Sequence, residues 1–373
     1  MTGVQTCALP ISTSRCFFEL IKRKIISLPA IDASRTDYEA PDLTDLLVQE
    51  RALREQKKSS AQDGSAGAEL PPMEITQDVV FTHLHNHTQF SVLQSTTDVS
   101  DLVKKAAAYK SPAIAISDHG NMYGAFMFWK AVDNHNKKIK QNAKPGESLQ
   151  LMKCIIGCEL YLATERLKRE RQDHVHAQVF LAKNKTGYHN LCKLSSIGFT
   201  EGFYYVPRID KEVLLQHKEG LIVTTGSLQG EVPDLILNVG EARAEEAFRW
   251  WLDHFGEDFY VELNRHRLPE EEHVNSVLLD FAKKYNVPYF AANANYYLEK
   301  SGAKAHDALL CVKDGELVET PIGRGKGFRF GFPNDEYYFK TPQEMMSTFS
   351  DLPEAISETN RIAEKIESYK LER

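Results

Sequence analysis

The chain has 373 residues, 42% hydrophobic and 26% charged, with 45 Lys and Arg against 52 Asp and Glu for a net charge of −7. This composition excludes wholesale disorder, and no apolar run approaches the roughly 18–20 residues that a membrane-spanning helix needs. The negative balance makes the whole surface a poor trap for duplex DNA, and six cysteines are too sparse for a disulfide scaffold, so the expected compartment is the cytoplasm.

Residues 1–12, MTGVQTCALPIS, have no periodic face, no cap and no charge, and read as the translation of a sequencing adapter, that is, as non-native sequence. Arg15, Lys22, Arg23 and Lys24 then interrupt every candidate secretory core. Within the extension at 13–75, Asp42 is placed to cap a helix carrying Leu43, Leu46, Leu47 and Leu53. The polar run KKSSAQDGSAGAELPP follows and reads as a linker ending near Glu74.

Beyond the linker, strand-like runs at 79–85, 113–117, 154–162, 177–183, 221–226, 259–263 and 287–293 alternate with helical patterns. One helix begins at Pro269 and sets Val274, Val277, Leu278, Phe281 and Tyr285 on one face; another does so with Ala247, Phe248, Trp251, Leu252 and Phe255. The alternation predicts an α/β fold with parallel pairing, as an open doubly wound sheet or a closed barrel. Functional residues gathered at the ends of several strands favour the barrel.

Such a gathering is present. In FTHLHNHTQFS, residues 81–91, His83, His85 and His87 are two apart and project together from an extended strand. Converging neutral imidazoles suit a divalent metal. The second strand ends in SDHG, with Asp118 and His119 beside Gly120, which permits a tight turn. The third carries GCE, offering Glu159 as a bridging carboxylate, and His174 and His176 precede the fourth. Taken singly, Glu159 reads as a solvated or ion-paired side chain, and His174 or His176 as a loop histidine. Their recurrence at successive strands points to a site.

The segments HLHNHTQFS, AISDHGNMYG, IIGCEL, LAKNKTGYHNLCKL, EGFYYVPRID, AHDALLCVKDG and PNDEYYFKTPQEM resemble the N-terminal PHP (polymerase and histidinol phosphatase) domain of bacterial DNA polymerase III alpha subunits, from about Phe81 onward. The resemblance implies a distorted (βα)7 barrel at 76–300, preceded by a disordered or helical N-terminal extension, with 301–373 as a connector toward a polymerase domain. It implies metal ligation by His85, His87, His119 and Glu159. His176 is a further candidate, although it lies one residue early and Ala177 is in register.

The complete family site uses about nine ligands around as many as three metals. Here Gln94 stands for an Asp, Ser227 for a Cys, and Ala294 and Tyr296 for the Asp and His of the last motif. Alanine has no donor atom, and Gln, Ser and Tyr are weak substitutes. The set leaves room for one divalent metal, zinc, manganese or magnesium, held by His85, His87 and Glu159, and predicts little or no hydrolase activity. Magnesium for nucleotide transfer belongs to a polymerase domain further along.

Five other features stand outside that ligand set. ERLKRER, residues 165–171, interleaves Glu165 and Glu170 with its cations and reads as a solvated loop. GRGKGFRF, residues 323–330, with Arg324, Lys326, Phe328, Arg329 and Phe330, is either a strand-tracking nucleic-acid surface or a packed connecting loop. Arg208 is expected to pair internally, and Cys154 and Cys158 to pack in the core. GSLQG, at 226–230, lacks the Lys and spacing of a phosphate loop.

The implied role is that of the PHP fragment of a polymerase III alpha subunit, structural within DNA replication. Its partners would be the polymerase domain of the full chain, replisome subunits such as a proofreading exonuclease, and DNA through the full-length protein, with no membrane. The alternatives are a free-standing metal-dependent phosphoesterase or 3′–5′ exonuclease and a degenerate binding module.

Overall fold

The computed structural model describes residues 79–144, 146–169 and 174–371. The adapter-like opening, the extension with its expected helix and the linker lie outside the described residues. Among those described, seven strands join in one sheet: β1 (Ala113–His119), β2 (Lys153–Ala163), β3 (Val175–Ala182), β4 (Arg208–Ile209), β5 (Leu221–Thr224), β6 (Phe259–Asn264) and β7 (Tyr289–Ala292). The order is β1-β2-β3-β5-β6-β7, with β4 beside β2. Every residue of β1 and β6 is buried, as expected of strands covered on both faces, which read as near-continuous apolar runs.

The all-parallel expectation needs correction. β1 and β2 are parallel, and so are β5, β6 and β7, but β3 is antiparallel to both β2 and β5. The described part of the connection from β2 to β3 contains no helix, so the chain turns back on itself, and a strand reached that way pairs antiparallel. The run expected as a first strand also differs. It contributes an isolated bridge, Asn86 to Asn295, in place of a ladder. It nevertheless ties the two sheet edges together: Ala115 N donates to His83 O at 3.2 Å, Ser117 N to Asn86 O at 2.8 Å, and His87 N to Asn295 O at 3.1 Å. The result is a curled α/β half-barrel with its first segment lying between β1 and the chain that leaves β7.

Helices surround the sheet: α1 (Val99–Ala108), α2 (Ala125–Asn142), α3 (Lys185–Thr200), α4 (Lys211–Gln216), α5 (Glu231–Asn238), α6 (Glu241–Phe255) and α7 (Pro269–Tyr285). α7 opens on Pro269 with Glu270, Glu271 and Glu272 in its first turn and has Lys283 and Lys284 in its last, matching the helix dipole. It buries Val274, Val277, Leu278 and Phe281, while Tyr285 is only partly buried. α6 buries Phe248 against Phe259 and Phe281, with ring centroids 5.0 and 5.5 Å apart.

Three later helices, α8 (Ala303–Asp314), α9 (Pro342–Thr348) and α10 (Pro353–Lys365), pack on this frame. Ile362 and Ala363 of α10 share a core with Leu84 and Phe290. The 323–330 loop divides by residue. Arg329 is buried and holds Asp307 through both terminal nitrogens at 2.6 and 2.8 Å, whereas Arg324, Lys326, Phe328 and Phe330 are exposed. Arg208 pairs internally as expected, donating to the carbonyls of Gly202, Arg166 and Lys168 at 2.9, 2.9 and 2.6 Å. In the 165–171 run Arg166 is tied to Asp210 and Glu201, and residues 170–171 lie outside the described set. Cys158 is buried and Cys154 half-buried.

Candidate metal centre

β1 ends in Asp118 and His119, and Gly120 follows at φ +67 with Pro207 Cγ 2.7 Å from where a Cβ would stand. Only glycine turns the chain there without strain or clash. Asp118 is not aimed at a ligand. Its carboxylate accepts from Thr88 N and Ser91 Oγ at 2.7 Å each and from Thr88 Oγ1 at 2.8 Å, so it fixes the loop after His87. Burial pushes its carboxyl up, and those hydrogen bonds pull the other way.

The convergence point is Glu159, midway along β2 and opposite His119 in the parallel register. Its Oε2 lies 2.7 Å from His87 Nε2, 3.3 Å from His85 Nε2 and 3.2 Å from His119 Nδ1. The donor atoms of His85, His87 and Glu159 all fall within 4.8 Å of one another, a group able to hold a metal ion. Exposure is 1% for His85 and Glu159, 0% for His87 and 7% for His119. Burial opposes the charge on Glu159, but His119, His85 and His87 outweigh it and hold the carboxyl well below the usual range.

The far nitrogens of the first two imidazoles are also held. His85 Nδ1 is 2.6 Å from Glu262 Oε1, and His87 Nδ1 is 3.0 Å from the carbonyl of Asn295. Glu262 is in turn fixed by Thr224 Oγ1 at 2.6 Å and Asn264 Nδ2 at 2.9 Å. Burial works against a charged His85, but the two glutamates raise it to about 10. An outer layer of this kind orients a metal-binding ring and keeps Nδ1 the protonated nitrogen, so that Nε2 is the one an ion would take in place of its proton. His119 Nδ1 is buried without a hydrogen-bond partner, an orphan nitrogen facing the same carboxylate. The donor set and its supports fit one divalent ion at His85, His87 and Glu159.

The other expected positions fall as follows. His83 points elsewhere, its Nε2 2.9 Å from the carbonyl of Lys340. The side chain of Gln94 lies beside Tyr161, and its backbone carbonyl faces His306 Nε2 at 2.8 Å. Ala294 is buried, with its N–H donating to Asn264 Oδ1 at 3.0 Å. The Tyr296 hydroxyl lies 3.1 Å from His119 Nε2, and its ring stacks on His87 at 4.1 Å. His176 does not join the cluster. It pairs with Leu162 in the antiparallel register, one step from Tyr161 and Ala177, and alternation turns it to the other face. It meets His174 and Asp234 there instead.

Sequence reasoning missed Glu262 and Asn295. Glu262 carried a signal, as an acid inside a five-residue apolar strand. Asn295 acts through its backbone carbonyl, which no residue type announces. Phe332, Tyr337 and His306 close over Tyr296, with Phe332 4.8 Å from Tyr296 and 4.2 Å from Tyr337 between ring centroids.

Known proteins resemble this chain over most of its length. Residues 83–266 match the family model of the PHP domain. The chain is 37% identical over 295 residues to the DNA polymerase III subunit alpha of Borreliella burgdorferi, covering 78% of this chain and 24% of that protein. It is 40% identical over 286 residues to the DNA polymerase III subunit alpha of Thermus aquaticus, covering 74% and 21%. The chain thus spans less than a quarter of the length of these relatives. A solved structure described as a metal-dependent phosphoesterase from Bifidobacterium adolescentis overlaps loosely, at 12% identity and a TM-score of 0.37 over 72% of this chain and 96% of that one. No helix among the described residues is long and apolar enough to cross a membrane.

Proposed function

Since residues 83–266 of this chain belong to the PHP domain family, we propose that the chain serves as the PHP-bearing portion of a DNA polymerase III alpha subunit and acts there as a structural support. Residues 76–300 are then the barrel and 301–373 the connector toward the polymerase region. The work belongs to DNA replication in the cytoplasm, with DNA and replisome subunits, a proofreading exonuclease among them, met through the full-length subunit.

The observation that carries the structural role is the closure of the barrel cluster. Glu159 and its three imidazoles are buried, and Tyr296 lies on His87 and against His119 under the rings of Phe332 and Tyr337. A phosphoester would have to displace these side chains before reaching Glu159. Ala294 adds no donor, so the residues beyond His85, His87 and Glu159 do not build the second position that two-metal hydrolysis needs.

Within this reading His85, His87 and Glu159 would hold one divalent ion, zinc, manganese or magnesium, and His119 Nδ1 faces the same Glu159 oxygen at 3.2 Å. Such an ion, when bound, supplies Lewis acidity. The protein's own contribution is a rigid, water-excluding seat: Glu262 and Asn295 fix the ring planes, and Asp118 fixes the loop that follows.

A chimera tests the role. The aligned segment of the Thermus aquaticus alpha subunit is replaced by this chain, and template-dependent nucleotide incorporation is measured. Incorporation near the parental level is expected. A folded chimera without incorporation overturns the proposal.

A further inference from the structure

His174 and His176 are not used by the barrel cluster, and they sit on the opposite face of the sheet. Two residues apart at the start of β3, they project to one side of the extended chain. Asp234, within the first turn of α5, comes down on them. Its Oδ2 is 2.9 Å from His174 Nε2 and 3.6 Å from His176 Nδ1, and the two imidazoles meet edge to face with centroids 4.8 Å apart. All three donor atoms lie within 4.8 Å of one another.

Two details separate this group from a chance surface cluster. Asp234 Oδ1 accepts from Asn238 Nδ2 at 2.8 Å, one helical turn on, which orients the carboxylate and leaves Oδ2 facing both rings. His176 Nδ1 is shielded from water yet makes no hydrogen bond, so a buried nitrogen points at Asp234 with nothing bound to it. The nearby charges cancel. Lys211 Nζ is 2.7 Å from Glu231 Oε1, and the other oxygen of Glu231 accepts from Trp251 Nε1 at 2.8 Å. The charge of Asp234 is therefore left for a cation.

We propose that His174, His176 and Asp234 form a second divalent-metal site, separate from the barrel cluster, that takes zinc or a similarly borderline transition ion. Two imidazole nitrogens and one carboxylate are a zinc-type donor set with a position left for water, whereas magnesium and calcium favour all-oxygen surroundings. An ion there clips the start of β3 to α5. Because the unfolded chain lacks the arrangement, binding stabilises the folded state.

The test uses the whole chain and zinc chloride. Zinc uptake and the thermal midpoint are compared for the unmodified chain, His174→Ala and Asp234→Asn. His174 is 67% exposed, so its replacement leaves the fold intact and decides the matter even if Asp234→Asn is unstable. The expected result is one zinc fewer per chain in each variant, or at least a ten-fold loss of affinity at that step, with a smaller zinc-induced rise in midpoint. Zinc-edge anomalous diffraction should place a peak among the three residues. Equal uptake and equal midpoint shifts in the unmodified chain and His174→Ala, or no peak at saturating zinc, overturn the proposal. Uptake at the barrel cluster is read as a separate peak, so either site can fail alone.

Discussion

Glu262 Oε1 stands 2.6 Å from His85 Nδ1, and that contact turns the opposite nitrogen of the ring toward Glu159 at 3.3 Å. Glutamine at 262 keeps the size but removes the charge that fixes the ring. Outer-layer partners of this kind are typically worth about 10–100-fold in metal affinity. Glu262→Gln should weaken zinc or manganese binding at the barrel cluster by about that factor, as read by equilibrium dialysis in the His174→Ala background. Unchanged affinity would show that the contact does not position His85.

The closed cluster predicts no hydrolysis. The unmodified chain should release no more product from bis-p-nitrophenyl phosphate, or from a DNA 3′ end, than its Glu159→Gln variant, with manganese or zinc supplied. A rate clearly above that of the variant would restore the phosphoesterase reading.

The fold depends heavily on the aromatic packing between α6, α7 and β6. Phe248 is fully buried, with Phe259 and Phe281 against its ring. Phe248→Ala leaves a cavity in that cluster and should cost about 3–5 kcal/mol. Urea unfolding followed by tryptophan fluorescence measures it, and a loss below about 1 kcal/mol would mean that the site collapses around the gap.

Acid should destabilise the chain well before its carboxylates titrate. Burial holds His83 down at about 3 and His306 at about 4, against an ordinary 6.5, with backbone carbonyls of Lys340 and Gln94 opposing the shift. Between pH 6.5 and about 4 the unfolded chain binds protons there that the folded chain does not, so stability falls with pH. His85 has the opposite sign. Raised to about 10, it contributes fully below 6.5 and loses its contribution as pH climbs toward 10. In a chelating buffer, unfolding free energy should peak near neutrality and drop by about 2 kcal/mol per depressed histidine at pH 5. His306→Gln should flatten the acid side of that profile, and an unchanged slope would remove His306 from this account.

Much of the scaffold is legible in the sequence. Runs such as AIAIS and FYVEL are continuously apolar or nearly so, and α7 carries its start, face and end in plain residue types. The reversal of β3 was not legible, because strand direction depends on how the chain returns and alternation of elements cannot report that. The expected first strand carried the right residues. Its partner, Asn295, is 209 residues away, and a bridge of that range is set by closure of the sheet.

The sequence by itself determined which side chains were available: three alternating histidines, a histidine after Asp118, one glutamate in β2, and an alanine and a tyrosine where the family resemblance implies donors. Those are chemical identities, and no fold changes them. Only the tertiary structure decided which met. Residue alternation about an antiparallel strand sent His176 to the outer face with Asp234, and the curl of the sheet brought Glu262 behind His85. Burial under Tyr296, Phe332 and Tyr337 then made the cluster a sealed seat, because exclusion of water is a property of packed neighbours that no single residue carries.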